Sequence, residues 1–337
     1  MKIIVDAMGG DNAPDEIVKG ALDAIKEHGA DIVLTGSGEV ILRSIERLGL
    51  SELPRGVEIV NASQVIEMDD DPANIVRVKK DSSLTVALNL LRDGRGDAVV
   101  SAGNTGAILS GATLIVKRVR GVRRAALAPF LPNAGGGFVL IDCGANTECT
   151  AEYLLQFAYM GAFYAEDVLH IRSPRVGLLN NGSERTKGTQ VQLEAYALLE
   201  KAAQSGEMSF VGNVEAKEAI AGECDVLVCD GFTGNVMLKS MEGMASLIMS
   251  EFKKIYAKNL ITKLSALMMK KHIYGLKARM NPDSIGGTIM LGISKPVVKA
   301  HGSSNAAAIC SAIKQAANAA EADVAGRLHE LLSKAEA

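Results

Sequence analysis

Tryptophan is absent from this chain of 337 residues, and its aromatic side chains stop at seven Phe and six Tyr. That is thin material for the stacking platforms that hold single-stranded nucleic acid. An excess of one charge is missing as well. The 36 Lys and Arg against 39 Asp and Glu leave a formal net charge of −3, which excludes a globally basic nucleic-acid binder but not a local basic patch. The five cysteines (Cys143, Cys149, Cys224, Cys229 and Cys310) contain no Cys-x-x-Cys pair, as expected of free thiols in a reducing compartment. The histidines are scattered, with no His-x-x-x-His pair, so zinc finds no ligand spacing and no metal is expected. No apolar run approaches the ~18 residues that span a bilayer. The opening Met1-Lys2-Ile3-Ile4-Val5-Asp6 runs straight into a strand pattern, with no basic-then-apolar leader. Together these absences predict a cytoplasmic protein, at most peripheral to a membrane.

Several motifs are missing too. Gly-x-Gly-x-x-Gly does not follow the first strand pattern, and Gly36-Ser37-Gly38 lacks the third glycine. There is no Walker Lys-Ser/Thr and no Gly-x-Ser-x-Gly, so neither a dinucleotide cofactor nor a nucleophile elbow is expected.

What the chain does have is order in its apolar runs. Short β-branched stretches at 2–6, 31–35, 57–61, 97–101, 138–142, 175–180, 209–212 and 225–230 are nearly continuous. Strands covered on both faces read this way. Helical patterns separate most of them, for example at 16–27, 83–92, 107–117 and 190–204. The alternation predicts a three-layer α/β/α sandwich with a mainly parallel sheet. At roughly 100–200 residues per domain the length allows two domains or one large unit. We read one catalytic unit over 1–337, carrying a helical hairpin over about 240–282.

Glycine is abundant, 34 residues against 8 Pro, and it clusters where strands end. The loops Asp6-Ala7-Met8-Gly9-Gly10-Asp11, Ser101-Ala102-Gly103-Asn104-Thr105-Gly106, Asp142-Cys143-Gly144-Ala145-Asn146, Asn180-Asn181-Gly182-Ser183-Glu184 and Asp230-Gly231-Phe232-Thr233-Gly234-Asn235 all mix Gly with small polar residues. In parallel α/β sheets ligands bind beyond the carboxyl ends of the strands. Two of the loops repeat each other as apolar strand, Gly-x-Thr-Gly turn and helix, with the Thr placed to cap the helix and leave its N–H groups facing an anion. A third anion candidate is Lys299-Ala300-His301-Gly302-Ser303-Ser304-Asn305, ahead of an Ala-rich helix. Pro14, Asp15 and Glu16 already complement the first helix, which makes phosphate there less favourable. The substrate- or phosphate-binding candidates are therefore Asp6, Gly9, Gly10, Gly103, Asn104, Thr105, Gly106, Asn146, Asp230, Gly231, Thr233, Gly234, His301 and Ser303.

Residues 251–280 differ in character. Eight cations, among them Lys253, Lys254, Lys258, Lys270 and Lys271, face the single acid Glu251. Leu260, Leu264 and Leu267 recur at helical spacing with Phe252, Ile255 and Met268, and Pro282 is read as the stop. A basic helix with an apolar face suits an anionic membrane surface or a protein partner, and equally a dimer interface.

Taken together, 5–14 (Val-Asp-Ala-Met-Gly-Gly-Asp-Asn-Ala-Pro), 101–107 (Ser-Ala-Gly-Asn-Thr-Gly-Ala), 230–235 (Asp-Gly-Phe-Thr-Gly-Asn) and 299–304 (Lys-Ala-His-Gly-Ser-Ser) resemble the bacterial acyl-[acyl-carrier-protein]:phosphate acyltransferases, the PlsX family. Residues 77–83 (Arg-Val-Lys-Lys-Asp-Ser-Ser) and 173–179 (Ser-Pro-Arg-Val-Gly-Leu-Leu) resemble it as well, and the likeness runs from residue 1 to about 325. The resemblance implies a fold like the isocitrate/isopropylmalate dehydrogenases and phosphotransacetylases, and a homodimer. It implies transfer of an acyl chain from acyl carrier protein to inorganic phosphate, with the product passing to a membrane glycerol-3-phosphate acyltransferase. It also places catalysis on Lys187 and Asn235. Such chemistry needs no activated Ser or Cys, because phosphate is the nucleophile and a thiol of pKa near ~8.5 leaves readily. Other classes remain open on the residues alone: a phosphotransacetylase acting on acyl-CoA, a decarboxylating dehydrogenase, and a non-catalytic membrane scaffold of lipid synthesis.

Overall fold

A computed structural model of the chain describes residues 1–72, 75–280 and 286–336. All eight apolar runs form strands: β1 (Lys2–Asp6), β2 (Asp31–Gly36), β3 (Val57–Asn61), β4 (Ala98–Ser101), β7 (Phe138–Ile141), β8 (Arg175–Leu179), β9 (Ser209–Val214) and β10 (Val226–Val228). Four further strands lack so clear a pattern: β5 (Ala126–Ala128), β6 (Phe130–Leu131), β11 (Thr288–Leu291) and β12 (Val297–Lys299).

The parallel sheet is divided in two. The first has the order β3-β2-β1-β4-β12-β11-β5 and the second β6-β7-β10-β8-β9. Within the first, β3 through β12 run parallel and β11 is antiparallel to both its neighbours. Within the second only β6 is antiparallel. The chain passes from one sheet to the other at Pro129, between β5 and β6. Proline has no N–H to continue a ladder, so a break there is chemically apt. Leu140 N donating to Pro129 O (3.0 Å) and Cys143 N donating to Leu127 O (3.0 Å) stitch the seam.

Period-two alternation makes the three layers. Ile3 and Val5 of β1 pack on one side with Ile17 and Val18 of the helix Asp15–His28 and Ile309 and Ile313 of the helix Ala306–Ala322. Ile4 packs on the other side with Leu84 and Leu88 of the helix Ser83–Arg92. These strand side chains are fully buried, each worth about 1.5–3 kcal/mol of transfer free energy. Local signals set helix starts: Ser82 Oγ accepts from Thr85 N (3.2 Å), and Thr189 and Gln192 form a capping box on the helix Gln190–Gln204.

Two expectations change in detail. The stretch at 107–117 is a helix, Thr105–Gly111, that loosens into a π-helical turn at Ala112–Val116. The face read along 251–280 belongs to two helices, Gly231–Ala257 and Leu260–Met280. Asn259 makes the break, its Oδ1 accepting from Thr262 N (2.9 Å) while Thr262 Oγ1 accepts from Asn259 N (3.0 Å). Pro282, the expected stop, lies outside the described residues.

Candidate active site

At the end of β1 the Asp6 carboxylate accepts from Ser101 Oγ (2.7 Å) at the end of β4 and from Met8 N (3.2 Å). It is buried, and that burial raises its pKa against the pull of these hydrogen bonds. Gly9 approaches so closely that a Cβ there would stand 2.7 Å from Asp6 Oδ2 and 2.8 Å from Gly103 N. Asp11 N donates to Gly302 O (2.8 Å), and Asn12 Nδ2 to Ser303 O (3.1 Å) and Ser304 O (3.2 Å). Asp6, Gly9, Gly10 and Gly103 therefore tie three loops into one packed unit.

The paired turns are capped by other residues than expected. Asn104, not Thr105, caps the helix Thr105–Gly111: its Oδ1 accepts from Ala107 N (3.0 Å) and its Nδ2 donates to Met68 O (2.9 Å). Asp230, not Thr233, caps the helix Gly231–Ala257, accepting from Thr233 N (2.8 Å) and Thr233 Oγ1 (2.7 Å). A threonine was expected because Gly-x-Thr-Gly aligns the two copies, but the capping oxygen sits before the helix. The third anion candidate is likewise occupied: Ala306 N donates to Glu16 Oε2 (2.6 Å), and Ala308 N to Asn305 Oδ1 (3.0 Å). Gly106 packs against Pro72, and Gly234 against the carbonyl of Asp142.

The second sheet has its own buried acid. Asp142 follows β7 and accepts from the backbone N–H groups of Leu127 (2.9 Å), Cys143 (2.6 Å), Ala145 (3.1 Å) and Asn146 (2.6 Å). Asn146 Nδ2 adds a bond to Asp142 Oδ2 (3.0 Å) and another to Ala125 O (2.8 Å), while Gly231 N donates to Asn146 O (2.7 Å). Burial raises the Asp142 pKa as it does that of Asp6. The nearby thiols of Cys143 and Cys149 are pushed up to about 12, first by burial and then by Asp142, which leaves them protonated and poor nucleophiles.

Lys187 stands apart from this bracing. It closes a turn over 184–187, its N–H donating to Glu184 O (3.1 Å). Its side chain is 46% exposed, and Nζ lies 3.9 Å from Glu184 Oε1. Gly188, with φ +96°, releases the chain from the turn. Asn235 is exposed on the first turns of the helix Gly231–Ala257, its side chain about 4 Å from a Cβ built on Gly144.

Between the two sheets' loops runs a groove of about 2030 Å3. Asn180, Asn181, Gly188 and Thr189 line it from the second sheet, Lys299, His301 and Ser303 from the first, and Thr233 from the helix start. Apolar walls come from Phe130, Leu131, Leu179, Ile220, Met237, Met241 and Met244. His301 Nδ1 lies 2.8 Å from Ser303 Oγ. Of the sequence candidates, Thr233, His301 and Ser303 line this groove, as does Lys253 of the expected membrane or partner face, and Lys187 and Asn235 lie within two residues of its lining. Asp6, Gly9, Gly10, Gly103, Asn104, Asn146, Asp230 and Gly231 hold the loops that shape it. Lys299, which opens the third anion candidate, lines the groove too; Phe130 and the methionines were missed. The methionine spacing 237, 241, 244 was the available signal.

The hairpin turns its apolar residues outward. Leu260 is 84% exposed, Leu264 62% and Leu267 66%, with Ile261 and Met268 beside them. Lys253, Lys254, Lys258, Lys270 and Lys271 are exposed as well, and Lys254 pairs with Glu251 (2.6 Å). Among the described residues no helix is long and apolar enough to cross a membrane. Glu27, His28 and Cys310 set a carboxylate, an imidazole and a thiol within 4.8 Å of one another, which no sequence spacing announced. Burial and the neighbouring Glu27 and Asp23 push the Cys310 thiol up to about 11, so near neutrality it is protonated.

The profile of a family described as "Fatty acid synthesis protein" matches residues 1–327. A protein of Thermoanaerobacter pseudethanolicus named phosphate acyltransferase is 46% identical over 331 residues, covering 98% of this chain and 97% of its own. The chain belongs to the phosphate acyltransferase family. Another phosphate acyltransferase, from Streptococcus equi subsp. zooepidemicus, is 46% identical over 335 residues, 99% of this chain and 98% of its own. This acyltransferase shares its fold with a phosphotransacetylase from Streptococcus pyogenes, with a TM-score of 0.66 at 19% identity over 95% of this chain and 94% of that one.

Proposed function

We infer that this acyltransferase moves a long acyl chain from acyl carrier protein to inorganic phosphate, and so makes the acyl phosphate that starts phospholipid synthesis. The observation that carries the reading is the groove. Its apolar walls suit a flexible chain, and its polar lining, with Lys299, His301, Ser303 and Thr233, suits an anion and a carbonyl. A phosphate oxygen forms the new bond to the carbonyl carbon, the tetrahedral oxyanion collapses, and the C–S bond breaks to release the carrier thiolate. Lys187 holds the phosphate charge, and Asn235 gives a hydrogen bond to the carbonyl oxygen as it becomes an oxyanion. No step calls for a metal or a cofactor.

The hairpin's outward leucines and lysines support a place at an anionic membrane surface, where a hydrolysable product meets a membrane glycerol-3-phosphate acyltransferase. The same face is the candidate interface of a homodimer. The test is phosphate-dependent release of free carrier protein from a long-chain acyl carrier, with acyl-CoA run alongside. Equal turnover of acyl-CoA would favour the phosphotransacetylase reading, and no phosphate dependence would end both.

A further inference from the structure

The turn that bears Lys187 is bolted down at both ends, from two neighbouring strands. Glu184 O, which closes the turn by accepting from Lys187 N (3.1 Å), also accepts from Asn213 Nδ2 (2.9 Å) on β9. The carbonyl of Lys187 itself accepts from Asn180 Nδ2 (3.1 Å) at the end of β8. Asn180 is held in turn, its N–H donating to Val214 O (3.0 Å) and its Oδ1 accepting from Asn181 N (2.8 Å). A Cβ on Gly188 would stand 2.8 Å from the Asn180 amide, so this clamp fits only around glycine. Asn213 is the informative member. It is 6% exposed, and its Oδ1 is buried with no hydrogen-bond partner. An apolar side chain would spare the fold that orphaned oxygen. The amide's Nδ2 bond to Glu184 O is what it gives in return.

We propose that Asn213 is a positioning residue for Lys187, fixing the base of a long side chain whose ammonium is itself only loosely held, with Asn180 as the second clamp. The proposal rests on the reading of Lys187 as the group that holds phosphate. An ammonium on a four-carbon stem swings through several ångströms if its backbone tilts, and displacements near 1 Å already cost about 100-fold in rate.

The experiment is a double-mutant cycle. Asn213→Leu, Lys187→Ala and the double variant are assayed with varied phosphate and varied acyl donor, beside thermal melts. Asn213→Leu is expected to melt no lower than the parent, to lose about 10- to 100-fold in kcat/KM for phosphate, and to keep its KM for the acyl donor. The double variant is expected to be no worse than Lys187→Ala alone, because a clamp has nothing to position once the lysine is gone. Full activity in Asn213→Leu beside an impaired Lys187→Ala overturns the clamp and leaves the reading of Lys187 standing. Losses that multiply in the double variant overturn it too. Full activity in Lys187→Ala overturns the reading of Lys187 and the clamp with it. If Asn213→Leu does not fold, Asn213→Ala, which removes the amide without adding bulk or charge, is read by the same activity criteria.

Discussion

In the first sheet the loops that follow β1, β4 and β12 are bonded to one another, through Asp6 to Ser101, Asp11 to Gly302 and Asn12 to Ser303. In the second, the loop after β7 is bonded to the start of the helix Gly231–Ala257, while the loop after β8 is held from below by Asn180 and Asn213 and from the following helix by Arg185, which pairs with Glu200 (2.6 Å). Both sets have the same Gly, Asn, Asp, Ser and Thr composition. The difference teaches that composition marks where a site lies without saying which loops build it and which present chemistry. A buried carboxylate surrounded by N–H donors builds. On the proposed function, a half-exposed ammonium on a tied turn, that of Lys187, presents.

The sharpest break of that contrast is Asp142→Ala. It orphans the backbone N–H groups of Leu127, Ala145 and Asn146, while Cys143 N keeps Leu127 O and the Asn146 amide keeps Ala125 O, and at about 1–3 kcal/mol for each unsatisfied donor the variant is expected to be largely unfolded by circular dichroism at room temperature. Lys187→Ala is expected to do the reverse, melting with the parent while phosphate-dependent turnover falls by about 100-fold. A Lys187→Ala protein that melts far lower would move Lys187 to the building class.

The sequence showed the building class only by its position. Asp6 and Asp142 were legible as strand-end acids, but nothing local says that Ser101 or Leu127 will meet them across 95 or 15 residues. The eight strands at the apolar runs were legible because burial on both faces writes a continuous apolar run, longer than the strand itself at β10. β5, β6, β11 and β12 were not, since Pro129, Pro132, Gly292 and Pro296 cut the apolar sequence around them into short pieces. The Asn104 and Asp230 caps were hidden behind a repeat that drew the eye to threonine. Asn213 was invisible, because its use depends on a backbone carbonyl 29 residues away.

Smaller effects sharpen the comparison further. Burial raises the pKa of Asp6, so the folded protein binds that proton more tightly than the unfolded chain does. The associated stability is complete below the ordinary carboxylate pKa and is lost as pH rises through the raised one. Asp6→Asn, which removes the charge and keeps the shape, is expected to gain melting temperature over the parent as pH climbs from 4 to 7. A constant offset across that range would show that the Asp6 carboxyl does not titrate differently in the folded state. Thr233 lines the groove and Thr105 does not. Added phosphate is therefore expected to raise the melting point of Thr105→Val as it does that of the parent, and that of Thr233→Val less. Equal shifts in all three would remove Thr233 from the phosphate site. The smallest expected effect on the folded core is Leu264→Glu with Leu267→Glu. It spares every lysine, and it is expected to abolish salt-sensitive binding to anionic vesicles while leaving turnover in solution intact. Dissociation of a dimer in sedimentation would assign these leucines to an interface instead.

The placement of β12 has a consequence for synthesis. It pairs with β4 in the interior of the first sheet, yet about 200 residues separate the two in the chain, and at ~5–20 residues per second the ribosome takes about 10–40 s to cover that distance. Until Val297–Lys299 emerges, one edge of β4 lacks its native partner, and an open edge invites pairing with other chains. The nascent protein has every strand of its second sheet before its first is complete, and the strand that closes the first emerges only after all of them.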